Sequence, residues 1–271
     1  MGDSYKLPDG NAAIAFSGGR TSAYMLHQIL EANGDLPDRC VVSFQNTGKE
    51  HPATLDFVQE VGARWGVNIV WLEYRPTKPL FEQVSHNSAS RDGEPFEALI
   101  RKRKMLPNQA MRFCTQEMKI LTARRYCMSL GWKHWTTARG IRSDEAHRAI
   151  ESKDKRITNW HPLVDAGVTK QSINTFWMSQ PFGLNLPNVN RNNPFGNCCG
   201  CFLKSEESKA MLARDRPEDF AWWEKQEAQM KATFRDNQPL SKTREMVERQ
   251  GDWIFDDETF LCQADDGECT G

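Results

Sequence analysis

The chain has 271 residues, 39% of them hydrophobic, and 35 basic against 36 acidic side chains leave a formal charge of −1. That length suits one large α/β domain, or one with a small appendage. The charge balance argues neither for nor against a polyanionic partner, which only local clustering would reveal. No apolar run approaches a membrane span, and the polar segment Met1–Asn11 carries no signal-peptide pattern, so a cytoplasmic home is the default expectation and a membrane partner is not expected.

The apolar run Ala12–Phe16 ends at a glycine-containing loop and reads as a buried parallel strand. A helical pattern over Ser22–Ala32 follows it. Cys40–Phe44 reads as a second strand, leading through Asn46, Thr47 and Gly48 into a helix from Pro52 to Trp65. Asn68–Tyr74 is a third strand, and Arg75–Glu94 a polar loop. A basic segment, Arg101–Lys104, precedes a helical pattern over Arg112–Leu130. His134–Ala138 reads as a fourth strand, followed by a helix over Thr169–Ser179. Pro181–Pro194 reads as an ordered loop. Helices are predicted over Lys204–Arg214 and Pro217–Phe234, with an acidic tail beyond Gly251. This strand–helix alternation predicts an α/β fold with a doubly wound parallel sheet. Residues 1–205 would form that domain, and 206–271 a helical extension with the tail.

Ser17, Gly18, Gly19, Arg20, Thr21 and Ser22 lie at the first strand-to-helix turn. Two glycines let backbone approach an anion, and a helix N-terminus turns N–H groups and a positive dipole end towards it. The hydroxyls add donors and Arg20 a charge. The reading is a phosphate cradle; the alternative is an ordinary tight turn. It is not a Walker A loop, because no Gly-Lys-Ser/Thr closes it. Asn46 and Thr47 end the second strand, at the ligand-binding edge of such a sheet; base or ribose contact and a polar turn around a positive-φ Gly48 stand level. Arg139 reads as a solvated surface residue. His147 and His161 have no evident partner and read as structural or exposed. Trp222 and Trp223, adjacent on a helix, read as packing.

Of the 8 cysteines, Cys198, Cys199 and Cys201 fall within four residues. In a reducing compartment such a cluster binds metal or exchanges disulfides. Thiolates at Cys198 and Cys201 suit an iron–sulfur cluster, zinc or a redox dithiol. Cys199, between its neighbours, is expected to point away. Cys40 and Cys127 read as core residues.

The motifs occur in an order that identifies a family resemblance. Ser-Gly-Gly-Arg-Thr-Ser at 17–22 resembles the pyrophosphate (PP) loop of the adenine-nucleotide α-hydrolase-like superfamily, with Thr21 where Asp is usual. Asn46–Thr54 resembles the Asp-Thr-Gly-x-x-x-Pro-Glu-Thr segment of phosphoadenosine-phosphosulfate (PAPS) reductases. Arg112-Phe113-Cys114 with Lys119 resembles their Arg-x-Cys…Lys stretch. Gly140-Ile141-Arg142 through Arg148 is similar to their Gly-x-Arg-x-x-Glu-x-x-Arg element, and Pro162-Leu163 to their Pro-Leu-x-x-Trp region without its Trp.

The resemblance implies a nucleotide site including Gly140, Arg142 and Arg148, with Glu145 positioning either guanidinium and Arg142 in a catalytic role. It implies that Cys114 joins Cys198 and Cys201 on a [4Fe–4S] cluster, with zinc as the alternative and Cys199, Cys262 or Cys269 as the remaining choices for a fourth ligand. Three cysteines rather than four resemble thiolation enzymes that transfer sulfur to tRNA. The implied reaction is adenylation by ATP, with Mg2+ and pyrophosphate release, followed by sulfur transfer to tRNA or another nucleic acid. The second implied reaction is reduction of adenylyl sulfate or PAPS, with Cys269 as nucleophile and a thioredoxin-like reductant. A non-catalytic nucleotide sensor is a third reading, favoured by Thr21. A homodimer stays open.

Overall fold

The computed structural model describes residues 3–187 and 194–250. Strand β1 (Ala12–Ala15) lies inside a six-stranded sheet, which explains its uninterrupted apolar sequence. It is flanked by β2 (Cys40–Asn46) and β5 (Trp135–Ala138), both parallel to it. Beyond β2 come β3 (Ile69–Tyr74), parallel, and β4 (Phe81–Val84), antiparallel; beyond β5 comes β6 (Ile157–Trp160), parallel. The sheet order is β4-β3-β2-β1-β5-β6. The chain therefore runs outward from β1 in one direction, then returns to β1's other side. The carboxyl ends of β1 and β5 flank the topological switch point, where open α/β sheets bind ligands.

Helix α1 (Arg20–Asn33) starts directly after the first loop, and α2 (Pro52–Arg64) after β2. His51 caps α2, its Nδ1 accepting from the Ala53 N–H at 3.1 Å. The Arg216 guanidinium lies 3.1 Å from Nε2, a like charge should the ring protonate. Burial first, then Arg216, pushes the His51 pKa down to about 4. Its unfolded value is near 6.5, so between those values the unfolded chain binds more protons. This contribution to stability is present above about pH 6.5 and is lost as pH falls towards 4. The melting temperature should therefore drop between pH 7 and 4.5. His51→Ser, a cap that does not titrate, should drop less; equal slopes would remove His51 from the account.

Several elements differ from the expectations. The polar stretch Arg75–Glu94 contains β4, an edge strand whose middle residues are exposed. The basic segment ends α3 (Glu94–Arg103). The helical pattern from Arg112 is π-helical over Thr115–Leu121 and continues into α4 (Thr122–Ser129). β6 was not expected from the sequence pattern. Pro162–Asp165 forms the short α5, and α6 (Lys170–Ser179) follows it.

The C-terminal helices are α7 (Glu206–Asp215), α8 (Pro217–Met230) and α9 (Leu240–Gln250). Phe220, Trp223, Phe234 and Leu240 share one apolar cluster with Ile14 and Val42 of the sheet. Trp222 and Trp223 pack against Phe96 at 5.6 and 5.3 Å, and the Lys49 ammonium sits over Trp222. Both tryptophans are packing residues. No helix of the described residues is long and apolar enough to cross a membrane.

Candidate functional site

Gly18 adopts φ +79, and a Cβ there would lie 2.8 Å from Thr54 Cγ2 and 3.2 Å from Phe44 Cε2. Only glycine fits this conformation and this space. Gly19 is the N-cap of α1 and makes no side-chain cap, so the first-turn N–H groups receive no side-chain oxygen from it. Ser22 ties the loop together. Its Oγ accepts from the Ser17 N–H at 3.1 Å, lies 3.0 Å from Ser17 Oγ and donates to the Gly19 carbonyl at 3.0 Å. Thr21 is buried behind the turn. Gly140, after β5, packs on Ser22 so closely that a Cβ would meet its Cα at 3.3 Å.

A cavity of about 130 Å³ lies between the β1–β5 face of the sheet and α4. Ser17, Ser22 and Gly140 line its carboxyl end, and Ala13, Cys127 and Trp135 line its apolar depth. Ser43, Gln45, Thr137, Lys119 and Arg139 supply polar groups to the wall. Arg139, expected at the solvated surface, is instead half-buried here, and burial lowers its pKa. The strand alternation that turns Thr137 into the cavity turns Arg139 there too. Cys127 lies in the core, as expected, and also on this wall.

Not every expected contact reaches this cavity. Arg20 turns away, its guanidinium donating to the Leu184 carbonyl at 3.4 Å. Asn46 is fully buried, donating to Glu73 Oε1 at 2.7 Å and the Ser90 carbonyl at 2.8 Å and accepting from the Gly48 N–H at 3.1 Å. Those bonds fasten β2 to β3 and its neighbouring loop, so Asn46 does not offer its amide to a nucleotide. Gly48 has φ +80, as the turn reading requires. Arg142 and Arg148 do not line the cavity. Arg142 Nε is 3.0 Å from Asp144 Oδ1, and buried Glu145 pairs with both arginines. Glu145 thus positions both guanidiniums. Asp144 and Glu145 balance the two cations. His147 is exposed, and His161 is the residue before α5. Burial, then Arg139, lowers the His161 pKa.

Thr47 faces a second, smaller cavity, of about 30 Å³, enough for a water or two. Cys114, Cys198 and Cys201 all line it, with Thr47, Arg112 and Lys119. Two backbone features bring the cysteine turn here. Glu50 forms a β-bridge with Cys198, and the Cys199 N–H donates to the Lys49 carbonyl at 2.7 Å. Asn197 and Gly200 supply positive φ at the turn. Cys199 points away: it is buried, its thiol lies 3.6 Å from the Phe195 carbonyl, and burial pushes its pKa up to about 12. Cys262 and Cys269 lie outside the described residues.

The Glu50 carboxylate accepts from the Thr47 N–H at 2.9 Å and the Thr47 hydroxyl at 2.8 Å, and lies 3.8 Å from Cys198 Sγ. Burial and Glu50 push the Cys198 thiol well up, while Lys119 opposes them. Among the described residues, no three His, Cys, Asp or Glu side chains converge tightly enough to hold a single metal ion. Cys114, Cys198 and Cys201 offer soft thiol donors on one cavity wall, a donor chemistry that suits an iron–sulfur cluster or zinc.

Lys119 and Glu50 are the residues whose importance the spacing alone understated. Lys119 lines both cavities. The π-helical stretch Thr115–Leu121 carries it between them, only five residues past Cys114.

With this geometry the family is decided by the match of residues 11–176 to the phosphoadenosine phosphosulfate reductase domain. The chain belongs to that family. A relative from Escherichia phage lambda, the uncharacterized nin region protein ORF290, is 30% identical over 211 residues, 74% of this chain and 69% of the relative. Among solved structures, the Candida auris PAPS reductase in its phosphate complex is 17% identical, with TM-score 0.42, covering 62% of this chain and 71% of its own. The Methanococcus maripaludis U34-tRNA thiolase NcsA, solved with its [4Fe–4S] cluster, is 12% identical, with TM-score 0.40, covering 95% of this chain and 86% of its own.

Proposed function

We propose that this PAPS reductase-family protein is an adenylating sulfur-transfer enzyme. The Ser17–Ser22 loop holds the pyrophosphate part of ATP with Mg2+, and the crevice between β1 and β5 holds the adenosine part. An acceptor oxygen attacks the α-phosphorus, the bond to the bridging oxygen breaks, and pyrophosphate leaves. A sulfur nucleophile at the hydrosulfide level, from an external donor, then attacks the activated carbon. The carbon–oxygen bond breaks and AMP departs. Loop N–H groups, Lys119 and Arg139 stabilise the charge that develops on phosphate oxygens. Cys114, Cys198 and Cys201 are the residues that would hold a [4Fe–4S] cluster, which when bound supplies a place to hold sulfur beside the acceptor. Free thiols facing one cavity suit a reducing compartment such as the cytoplasm.

One observation carries this reading: Lys119 borders both the nucleotide cavity and the three-cysteine cavity. A single cation next to both sites links activation to sulfur chemistry. The family match favours a second reading, reduction of PAPS. There the Cys269 thiolate attacks the sulfate sulfur, adenosine bisphosphate leaves, and a thioredoxin-type dithiol releases sulfite as it is oxidised to a disulfide. Arg142 and Arg148 would then bind the anion.

The deciding experiment uses the anaerobically purified full chain, labelled ATP, hydrosulfide as sulfur donor and an acceptor panel that includes tRNA. Pyrophosphate and AMP should appear in equal amounts only with a competent acceptor. Cys198→Ser should keep pyrophosphate release and lose sulfur incorporation. Sulfite formation from PAPS, abolished by Cys269→Ser, with no pyrophosphate from ATP, would replace the first reading by the second.

A further inference from the structure

A second cleft opens at the opposite end of β5 and β6 from the phosphate loop. It is formed by the segments entering those strands, residues 131–134 and 153–156, and by the end of α4, and its volume is about 1030 Å³. Its lining contains five cations, Arg124, Lys133, Lys153, Lys155 and Arg156, and one carboxylate, Asp154. Five minus one leaves a local charge of +4, with His134 neutral, on a chain whose total is −1. Asp154 is occupied by Arg124 at 2.6 Å and Arg156 at 3.6 Å. Lys133, Lys153 and Lys155 are exposed and make no ion pair among the described residues. Exposed like charge gathered on one surface raises the local positive potential and attracts a polyanion. The cleft also contains half-buried Trp132, which packs on Trp135 with ring centroids 6.4 Å apart, and the exposed Met128.

We propose that this cleft docks a single-stranded segment of nucleic acid. Cations on two separate loops match the repeated charge of a phosphodiester chain rather than one phosphate group. Trp132 offers an aromatic surface on which an unpaired base can stack. A duplex keeps its bases stacked inside and cannot use that ring. An acidic polypeptide would satisfy the lysines but leave Trp132 without a matching group. The cleft also has a route to the chemistry. Arg124 lines both it and the nucleotide cavity. β5 has four residues, so the two ends of the sheet lie about 13 Å apart here. Docking stands on the cleft alone; that the docked strand carries the acceptor group rests on the adenylation reading.

The test measures fluorescence anisotropy of the full chain with labelled single-stranded RNA and DNA of about twenty nucleotides, and with a duplex of the same sequence. Single strands should bind, with log affinity falling against log salt at a slope of about −2 to −3.5, as three to five neutralised phosphates require. The triple variant K133E/K153E/K155E should weaken binding at least about tenfold and flatten the salt slope. Trp132→Leu should weaken it by about tenfold with the slope unchanged. None of the three lysines lines the nucleotide cavity, so ATP binding should remain at the wild-type level in the triple variant and serves as its folding control. The proposal is overturned if the triple variant binds single strands like the wild type, or if duplex binds as tightly as single strands. Competition won by polyglutamate or anionic vesicles would overturn it as well. Strand binding that persists in a protein releasing no pyrophosphate would sink the adenylation reading and leave the docking site standing.

Discussion

Lys119→Met should lower pyrophosphate release at saturating ATP by about 10²–10³-fold, the range for removing one preorganised charge-stabilising donor. Methionine keeps the length and apolar body of the side chain, so packing of the π-helical stretch changes little. The ammonium is lost from the wall of the nucleotide cavity and from the wall of the three-cysteine cavity together. Because its main work is proposed for the developing charge, ATP affinity should fall less than turnover does. Steady-state kinetics beside direct ATP binding separate these effects. Wild-type turnover in the variant would break the proposed link between the two cavities. A loss confined to ATP affinity would reduce Lys119 to a binding residue.

Gly18→Ala should destabilise the protein by about 2–5 kcal/mol and abolish nucleotide binding. Left-handed backbone costs a non-glycine residue about 1–2 kcal/mol. The new methyl would also lie 2.8 Å from Thr54 Cγ2 and 3.2 Å from Val58 Cγ2. Thr54, Val58 and Phe44 are buried, so they cannot swing into solvent, and overpacking of this kind costs about 1–3 kcal/mol. Relief would push the loop outward and disrupt the Ser17–Ser22 hydrogen bonds. Gly10→Ala is the matching control: φ is +78 there, but nothing lies within 4 Å of the added Cβ. It should carry the backbone cost alone and leave ATP binding intact. Urea denaturation and ATP titration of both variants give the comparison. Equal stabilities would show that steric closeness at Gly18 has no energetic consequence.

The glycine turn after β1 was legible because everything that defines it is local. A buried apolar strand, two glycines, clustered hydroxyls and a helix start are all read within eleven residues, and β1, Gly18 and α1 follow that reading. The pairing of Glu145 with Arg142 and Arg148 was legible too, since three residues on a short helical turn bring those side chains together. The same holds for the outward turn of Cys199, which its neighbours dictate. Strands β4 and β6 were missed for a common reason. Both are edge strands with mixed exposure, so neither presents an apolar run or a clean alternation. The two readings of Asn46 stood level because a polar residue at a strand end looks the same whether it faces ligand or fastens two strands.

By itself, then, the amino-acid order determined the mostly parallel α/β architecture, the glycine turn after β1 and the set of thiols available, since short-range periodicity and backbone preference act over a few residues. Only the tertiary structure decided which distant groups share a cavity. It put Arg139 on the wall of the β1–β5 cavity, Thr47 beside the cysteines and Lys119 between both cavities, and it gathered lysines from two strand entrances into one cleft. Those placements depend on strand order and helix docking, where packing across the whole sheet outweighs any preference of the local sequence.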